Sequence, residues 1–391
     1  MDLDQAKQRL IDEVDARADL LLDASHQIHA NPELCFEERF AHDLLTDILE
    51  GEGIAVERHA HGCETGFAAT VGDGGPLVAV MCEYDALPGI GHACGHNIIA
   101  TAGLGAGLAA AALAAELGGR VRILGTPAEE GGGGKIIMMD HGALDGVDAA
   151  LMVHPAGRDL RAMNTIAIHG LFVDYTGRAS HAAAAPHLGR NALDAAVLGY
   201  MNIAALRQHI RSDERIHGVF TDGGDKPNIV PAHAGAHWYV RAGTIDRLRE
   251  LEPRVEACLR AGAEAAGCDL DIRWKSHFYT EVRDNEALLD LYAANSDGLG
   301  RPLARPTAET AVAGSTDMGN VSYRVPSIHP MIKVSDGATS IHTPEFATFA
   351  GGPEGDRAVL DGAKALALTM ADLWLDPDAL ERVQGTFEAA G

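Results

Sequence analysis

The chain has 391 residues, enough for two domains with a core apiece. At 47% hydrophobic and 22% charged it reads as globular, and a net charge of −25 opposes both a phosphate backbone and an anionic lipid surface, so neither a nucleic-acid nor a membrane partner is expected. Six cysteines in so long a chain make no disulfide framework.

The opening stretch, MDLDQAKQRLIDEVDARADLL, predicts a charged amphipathic helix without an apolar signal region, and hence a cytoplasmic location. A helix follows over 35–49, then strands over 68–72 and 76–86, the second almost continuously apolar as a buried parallel strand should be. Residues 98–115 are apolar except for Thr101, long enough for a membrane span. Most of them are Ala and Gly, and a His/Cys cluster abuts them, so the segment predicts a tightly packed buried helix over 98–117. A strand over 121–128, a helix over 134–142 and a strand over 149–155 complete a β-α-β rhythm.

From about residue 165 the rhythm changes. A strand over 166–177, a helix over 191–210, strands over 216–222 and 233–242, a helix over 244–266 and a strand over 269–276 spell β-α-β-β-α-β, the ferredoxin-like pattern. After 283 a helix over NEALLDLYAANS and a long helix over 353–375 resume the first style. The expected architecture is an α/β domain of residues 1–165 and 283–391, interrupted by an inserted α+β domain of residues 166–282.

The strongest local chemistry is in EYDALPGIGHACGHN. His92, Cys94 and His96 are spaced by two, so on extended chain they share one face, and thiolate with imidazole suits a borderline-soft divalent ion. A buried turn with a thiol and two structural histidines would look the same. In TPAEEGGGG, at the end of a predicted strand, Glu129 and Glu130 point in opposite directions, so one can grip a metal while the other carries a proton. A solvated acidic turn is the plainer alternative. The glycine spacing, with Ile136 after Lys135, excludes a phosphate-binding P-loop. His154, ending another buried strand, and His342, in SIHTPEF, are weak singly. Together, Cys94, His96, Glu130 and His154 place ligand types just beyond three separate strands.

The ordered motifs EYDALP, HACGHN, GTPAEEGGGG, MVHP, GRASHAAAAPHLGRNALDA, KPNIVPAHA, GSTDMGNVS and HTPEF resemble the M20 metallopeptidase family. The nearest resemblance is to its amidohydrolase branch, which includes aminobenzoyl-glutamate hydrolases and M20 domain-containing protein 2-type dipeptidases. The resemblance implies a catalytic domain with two divalent metal ions, Zn²⁺ or Mn²⁺, and an inserted lid domain that forms a homodimer. By motif, Cys94 bridges the ions, His96 and His154 complete one site, and Glu130 with His342 the other. Glu129 becomes the general base, Asp85 orients a metal ligand, and His181 steadies the oxyanion, reaching into the partner subunit's site. Asn228 and Arg241 meet the substrate's carboxylate side, which Gly314 and Ser315 border.

Two departures matter. Many M20 peptidases have His-x-Asp where this chain has Glu83-Tyr84-Asp85, with Asp as the bridging ligand, and relatives acting on auxin conjugates and hippurate continue CGHD-x-H where this chain has Asn97-Ile98-Ile99. The second weakens any transfer of those relatives' acyl-group preference and favours the aminobenzoyl-glutamate and dipeptidase side. The expected activity is hydrolysis of the amide bond in small N-acyl amino acids or dipeptides by water, with Glu129 as base and then acid. A broad dipeptidase or carboxypeptidase is the enzymatic alternative. A silent metal- or peptide-binding homologue is the other, but a binder needs no proton carrier such as Glu129.

Overall fold

The structure is a computed structural model that describes residues 1–307 and 313–390. It divides into two compact units, Met1–Asn164 with Val282–Gly391, and Thr165–Glu281.

The first unit is built on a six-stranded sheet. Across it run Glu57–Arg58, Phe67–Val71, Arg120–Thr126, Leu77–Glu83, Ala149–Leu151 and Ser327–Ile328. The last four are mutually parallel, and the first two pair antiparallel at one edge. Every residue of Leu77–Glu83 is buried. Its side chains alternate between two cores, Val78, Val80 and Cys82 on one face and Leu77, Ala79 and Met81 on the other, so both faces are covered.

The apolar segment is the helix His96–Leu117, entered and left through left-handed glycines, Gly95 (φ +81°) and Gly118 (φ +67°). It is the one helix among the described residues long and apolar enough to span a membrane, and 83% of its most apolar window is buried inside the protein. Its small residues permit close packing. A Cβ on Gly103 would lie 2.4 Å from the Met81 carbonyl oxygen, and one on Gly107 would lie 2.5 Å from Ile123 Cγ1. Helices Leu3–Ala16, Ala18–Ala30 and Pro353–Leu375 pack around it.

The second unit contains strands Ala167–Thr176, Arg215–Asp222, His233–Ala242 and Asp269–Trp274, with helices Ala192–Leu206 and Ile245–Ala266 packed on each other. The spatial order is Asp269–Trp274, Ala167–Thr176, His233–Ala242, Arg215–Asp222, every neighbour antiparallel. Chain order and strand order together make the ferredoxin-like arrangement. Asn191 and Thr244 cap the two helices through their side chains.

Several expected boundaries move. The helix expected over 35–49 spans Arg39–Gly51, because Phe36 turns left-handed (φ +62°) and Glu38 sits at the N-cap. The strand expected over 149–155 is two short strands, Ala149–Leu151 and His154–Ala156, which pair with different partners, Ser327–Ile328 and Met331–Lys333. The N-terminal helix breaks at Arg17 into two, and an unforeseen helix, Pro377–Ala390, ends the chain.

Candidate active site

The strand Leu77–Glu83 leads into a turn that ends at Gly95. That glycine is left-handed, and a Cβ on it would lie 2.9 Å from Pro155 Cγ, so the position excludes a side chain twice over. The turn sets Cys94 just before, and His96 at, the start of His96–Leu117. The extended face inferred from the spacing of two is therefore not what joins them. His92 leaves the group altogether and stacks on His29, with ring centroids 6.2 Å apart.

Cys94 Sγ lies 3.4 Å from His154 Nε2. The ligand atoms of Cys94, His96 and His154 lie within 4.8 Å of one another, and so do those of Cys94, Glu130 and His342. A third set, Glu83, His96 and Glu129, adjoins them. Cys94 is common to the first two sets and His96 to the first and third. His342 reaches the group on a left-handed backbone (φ +64°), fixed by its N–H to the Ala93 carbonyl at 2.8 Å, and its Nε2 is 3.3 Å from Glu130 Oε1.

The surroundings orient these donors. Asp85 Oδ1 is 3.1 Å from His96 Nδ1, while Asp85 Oδ2 accepts from the Glu130 backbone N–H at 3.0 Å and from the Cys35 thiol at 3.3 Å. Although burial opposes charge on Asp85, its bonds to His96 and Glu130 hold it down at about 2. Nδ1 of His154 meets the Pro155 carbonyl at 2.7 Å, which leaves Nε2 unprotonated toward Cys94, and burial pushes its pKa to about 3. Burial also disfavours charge on His96, but Glu83, Cys94 and Asp85 outweigh it and raise its pKa well above the ordinary value.

Neighbouring Glu129 and Glu130 are driven apart. Burial first, and then the Glu83 and Glu130 carboxylates, push Glu129 well above the usual carboxylate range. Burial acts the same way on Glu130, but His342 and His96 overcome it and bring that carboxyl below the range. Two carboxylates titrating apart suit a proton carrier beside a ligand.

The donor set fits divalent ions. Glu83 Oε1, His96 Nε2 and Glu130 Oε1 are buried without a well-aligned hydrogen bond among the described residues, an expensive state unless a cation takes their lone pairs. One thiolate, three imidazoles and carboxylates suit ions such as zinc or manganese.

Sequence reasoning passed over three neighbours. Lys135 is buried, its ammonium contacting Glu83 and lying 2.8 Å from Asp317 Oδ1, while its backbone N–H meets Asp317 Oδ2 at 2.9 Å. Glu83, closing a fully apolar strand, was the signal that a buried counter-charge must exist. Buried His329 lies 5.2 Å from the His154 ring, and among the described residues neither of its ring nitrogens has a partner outside its own residue. Nothing in its apolar surroundings in the sequence marks it.

His181, Asn228 and Arg241 belong to the second unit. The His181 ring accepts at Nδ1 from the Ala183 and Ala184 N–H groups, at 3.2 and 3.1 Å, so its proton sits on Nε2, and the side chain is exposed. Exposed Asn228 accepts from the Ala182 N–H at 3.0 Å, and the Arg241 guanidinium lies 5.9 Å from the Tyr239 ring. Gly314 and Ser315, in the first unit, lead into Thr316 and Asp317.

Residues 79–372 match peptidase family M20/M25/M40. The chain is 40% identical to the Xaa-Arg dipeptidase of Mus musculus, over 99% of this chain and 93% of that one. It is 38% identical to the Xaa-Arg dipeptidase of Homo sapiens, again over 99% and 93%. A dinuclear metal binding peptidase of the M20 family from Bacillus subtilis shares the fold with a TM-score of 0.66 at 20% identity, over 89% of this chain and 98% of that one. The chain is a hydrolase and belongs to peptidase family M20/M25/M40.

Proposed function

We propose that the protein is a two-metal dipeptidase that releases the C-terminal residue of small dipeptides, with preference for a basic residue such as arginine there. The observation that carries the reading is the pair of ligand sets sharing Cys94, with buried Glu129 in the adjoining set. The preference rests on the 40% identity, over nearly the whole length of both chains, to an Xaa-Arg dipeptidase.

Cys94, His96 and His154 would hold one ion and Cys94, Glu130 and His342 the other. Two divalent ions held there would supply Lewis-acid polarisation of the scissile carbonyl and would lower the pKa of water toward neutrality. Asp85 keeps the His96 ring turned so that Nε2 faces the cluster. Glu129 takes the proton of the attacking water and delivers it to the leaving amine nitrogen. His181, its proton on Nε2, donates to the oxyanion, while Asn228, Arg241 and the Gly314–Ser315 backbone receive the substrate's carboxylate side.

The same reading includes a homodimer through the second unit. Its support is an apolar patch formed by Val197, Leu198 and Met201 on the helix Ala192–Leu206, with Met201 58% exposed, together with Phe220 on the edge strand Arg215–Asp222, whose ring lies against the helix's Tyr200. The six cysteines, all free, support a cytoplasmic location. Thiolate and imidazole favour Zn²⁺, and the carboxylates leave Mn²⁺ as the second choice.

The test is product release from a panel of Xaa-Arg and Xaa-Lys dipeptides, neutral dipeptides, N-acyl amino acids and p-aminobenzoyl-glutamate, each assayed with Zn²⁺ or Mn²⁺ and after chelation. Fastest turnover of the basic dipeptides, lost on chelation, is expected. Turnover confined to p-aminobenzoyl-glutamate would move the assignment toward the aminobenzoyl-glutamate hydrolases.

A further inference from the structure

Residues 31–38 hold none of the proposed metal ligands, yet they touch the loops that do. The Glu33 carbonyl accepts from the Ala86 N–H at 2.7 Å, beside Asp85. The Glu33 carboxylate takes the N–H groups of Phe40 and Ala41, at 2.9 and 3.1 Å, and so anchors the start of the helix Arg39–Gly51. Cys35 meets Asp85, and the Phe36 ring fills the space in front of Gly132, where a Cβ would lie 2.3 Å from it.

Glu38 makes the most specific contact. It is wholly buried at the N-cap of Arg39–Gly51. One of its oxygens accepts from the Ala128 N–H at 2.9 Å and the other from the Thr65 hydroxyl at 2.8 Å. Thr65 is tied down in turn, its carbonyl accepting from the Tyr84 hydroxyl. Ala128 is a residue that needs holding. Its φ is +60°, a left-handed conformation that L side chains adopt rarely, and Glu129 and Glu130 follow it directly.

The left-handed step has a consequence for the two carboxylates. Were the strand to continue, adjacent side chains would face opposite sides and one would leave the site. Instead the chain turns at Ala128, and its carbonyl is closed by the N–H groups of Gly132 and Gly133 at 3.0 and 2.8 Å. Glu129 then meets Glu83 and His96, Glu130 meets Cys94 and His342, and both belong to one cluster.

We propose that Glu38 is a positioning residue for the Glu129–Glu130 pair, its carboxylate locking Ala128 in the left-handed turn that gives the two neighbours separate tasks in one site. This rests on the reading of Glu130 as a metal ligand and Glu129 as the general base. The requirement is for an acceptor at the Ala128 N–H, not for a charge. A glutamine retains that acceptor, and its amide group can face the Thr65 hydroxyl, which rotates to accept.

The experiment compares Glu38→Gln and Glu38→Ala with wild type, and with Glu129→Gln as reference. It measures kcat, KM, Zn²⁺ affinity by chelator competition, and thermal melting. Glu38→Ala should lower kcat by about 10–100-fold with KM within about threefold, the effect expected of displaced rather than missing catalytic groups. It should also weaken one of the two Zn²⁺ affinities by about tenfold or more, as loss of a ligand's support does, and Glu38→Gln should restore both quantities to within about threefold. Should Glu38→Ala fail to fold, Glu38→Asp, too short to reach Ala128, takes its place with the same criteria. Melting that falls while kcat and Zn²⁺ affinity stay at wild type overturns the proposal, and so does a loss in Glu38→Gln as deep as in Glu38→Ala. If Glu129→Gln keeps wild-type turnover, the general-base reading fails by itself. A Zn²⁺ affinity lost in Glu38→Ala and restored in Glu38→Gln would still uphold the clamp.

Discussion

Glu129 and Glu130 are chemically identical, and only their surroundings give them different work. Glu130 is held ionised by His342 and His96, whereas Glu129 is buried among other carboxylates. Glu129→Gln should therefore keep metal content near wild type and lower kcat by on the order of 10³-fold or more, since an amide carries no proton. Glu130→Gln should lose metal, as elemental analysis of the purified protein would show. The reverse pattern would exchange the two roles. Glu38 adds a pH dependence. Burial, its largest influence, raises its pKa from 4.5 to about 7, so the folded chain holds this proton more tightly than the unfolded chain. The associated stability is complete below about pH 4.5 and is lost as pH rises through about 7, an effect on the order of 3 kcal/mol. Melts in chelator between pH 5 and 8 should thus fall less steeply for Glu38→Gln than for wild type. Equal slopes would mean that Glu38 ionises normally in the fold.

At the scale of elements, the helix His96–Leu117 shows why composition and length mislead when packing is ignored. Its glycines are contact points, and Gly103 faces a backbone oxygen that cannot move aside. Gly103→Ala should cost about 1–3 kcal/mol by overpacking, despite the better helix propensity of alanine. Gly385, inside Pro377–Ala390, has open space at its Cβ position, so Gly385→Ala should raise stability by up to about 1 kcal/mol. Chemical denaturation of the pair tests the contrast, and a stable Gly103→Ala would show that the helix can shift. Periodicity made these elements legible because a buried strand and a packed helix each repeat one simple demand. The helix Pro353–Leu375 and the strand His233–Ala242 fall where that pattern places them. Turns obey local backbone geometry instead, and there the pattern gave out. Cys94 and His96 converge through a left-handed Gly95, not through a shared strand face, and Phe36, Ala128 and His342 are left-handed without being glycine. Lys135 was hidden for a related reason, since its partners Glu83 and Asp317 lie 52 and 182 residues away in the chain.

For the molecule as a whole, the proposed dimer carries a prediction of its own, that one protomer completes the other's site. The motivating observation lies within the second unit. His181 Nδ1 is occupied by two backbone N–H groups, so the ring presents Nε2–H, a donor with a fixed direction, from an exposed side chain. Such a donor helps only where negative charge develops, so His181→Ala should lower kcat by about 10²–10³-fold with little change in KM. Loss of stability with an unchanged kcat would instead make it a packing residue. In the proposed dimer, a Glu129→Gln protomer paired with a His181→Ala protomer has two unequal sites if His181 acts across the interface. One site contains both defects and the other neither. Mixed dimers, formed by co-expression with two affinity tags and purified through both, should therefore recover up to about half of wild-type turnover from two nearly dead parents. If His181 serves its own protomer, each site of the mixed dimer carries one defect and activity stays at the parental level. Tagged mixed dimers that remain dead would thus exclude action across the interface while leaving the oxyanion role to the single variant's kcat.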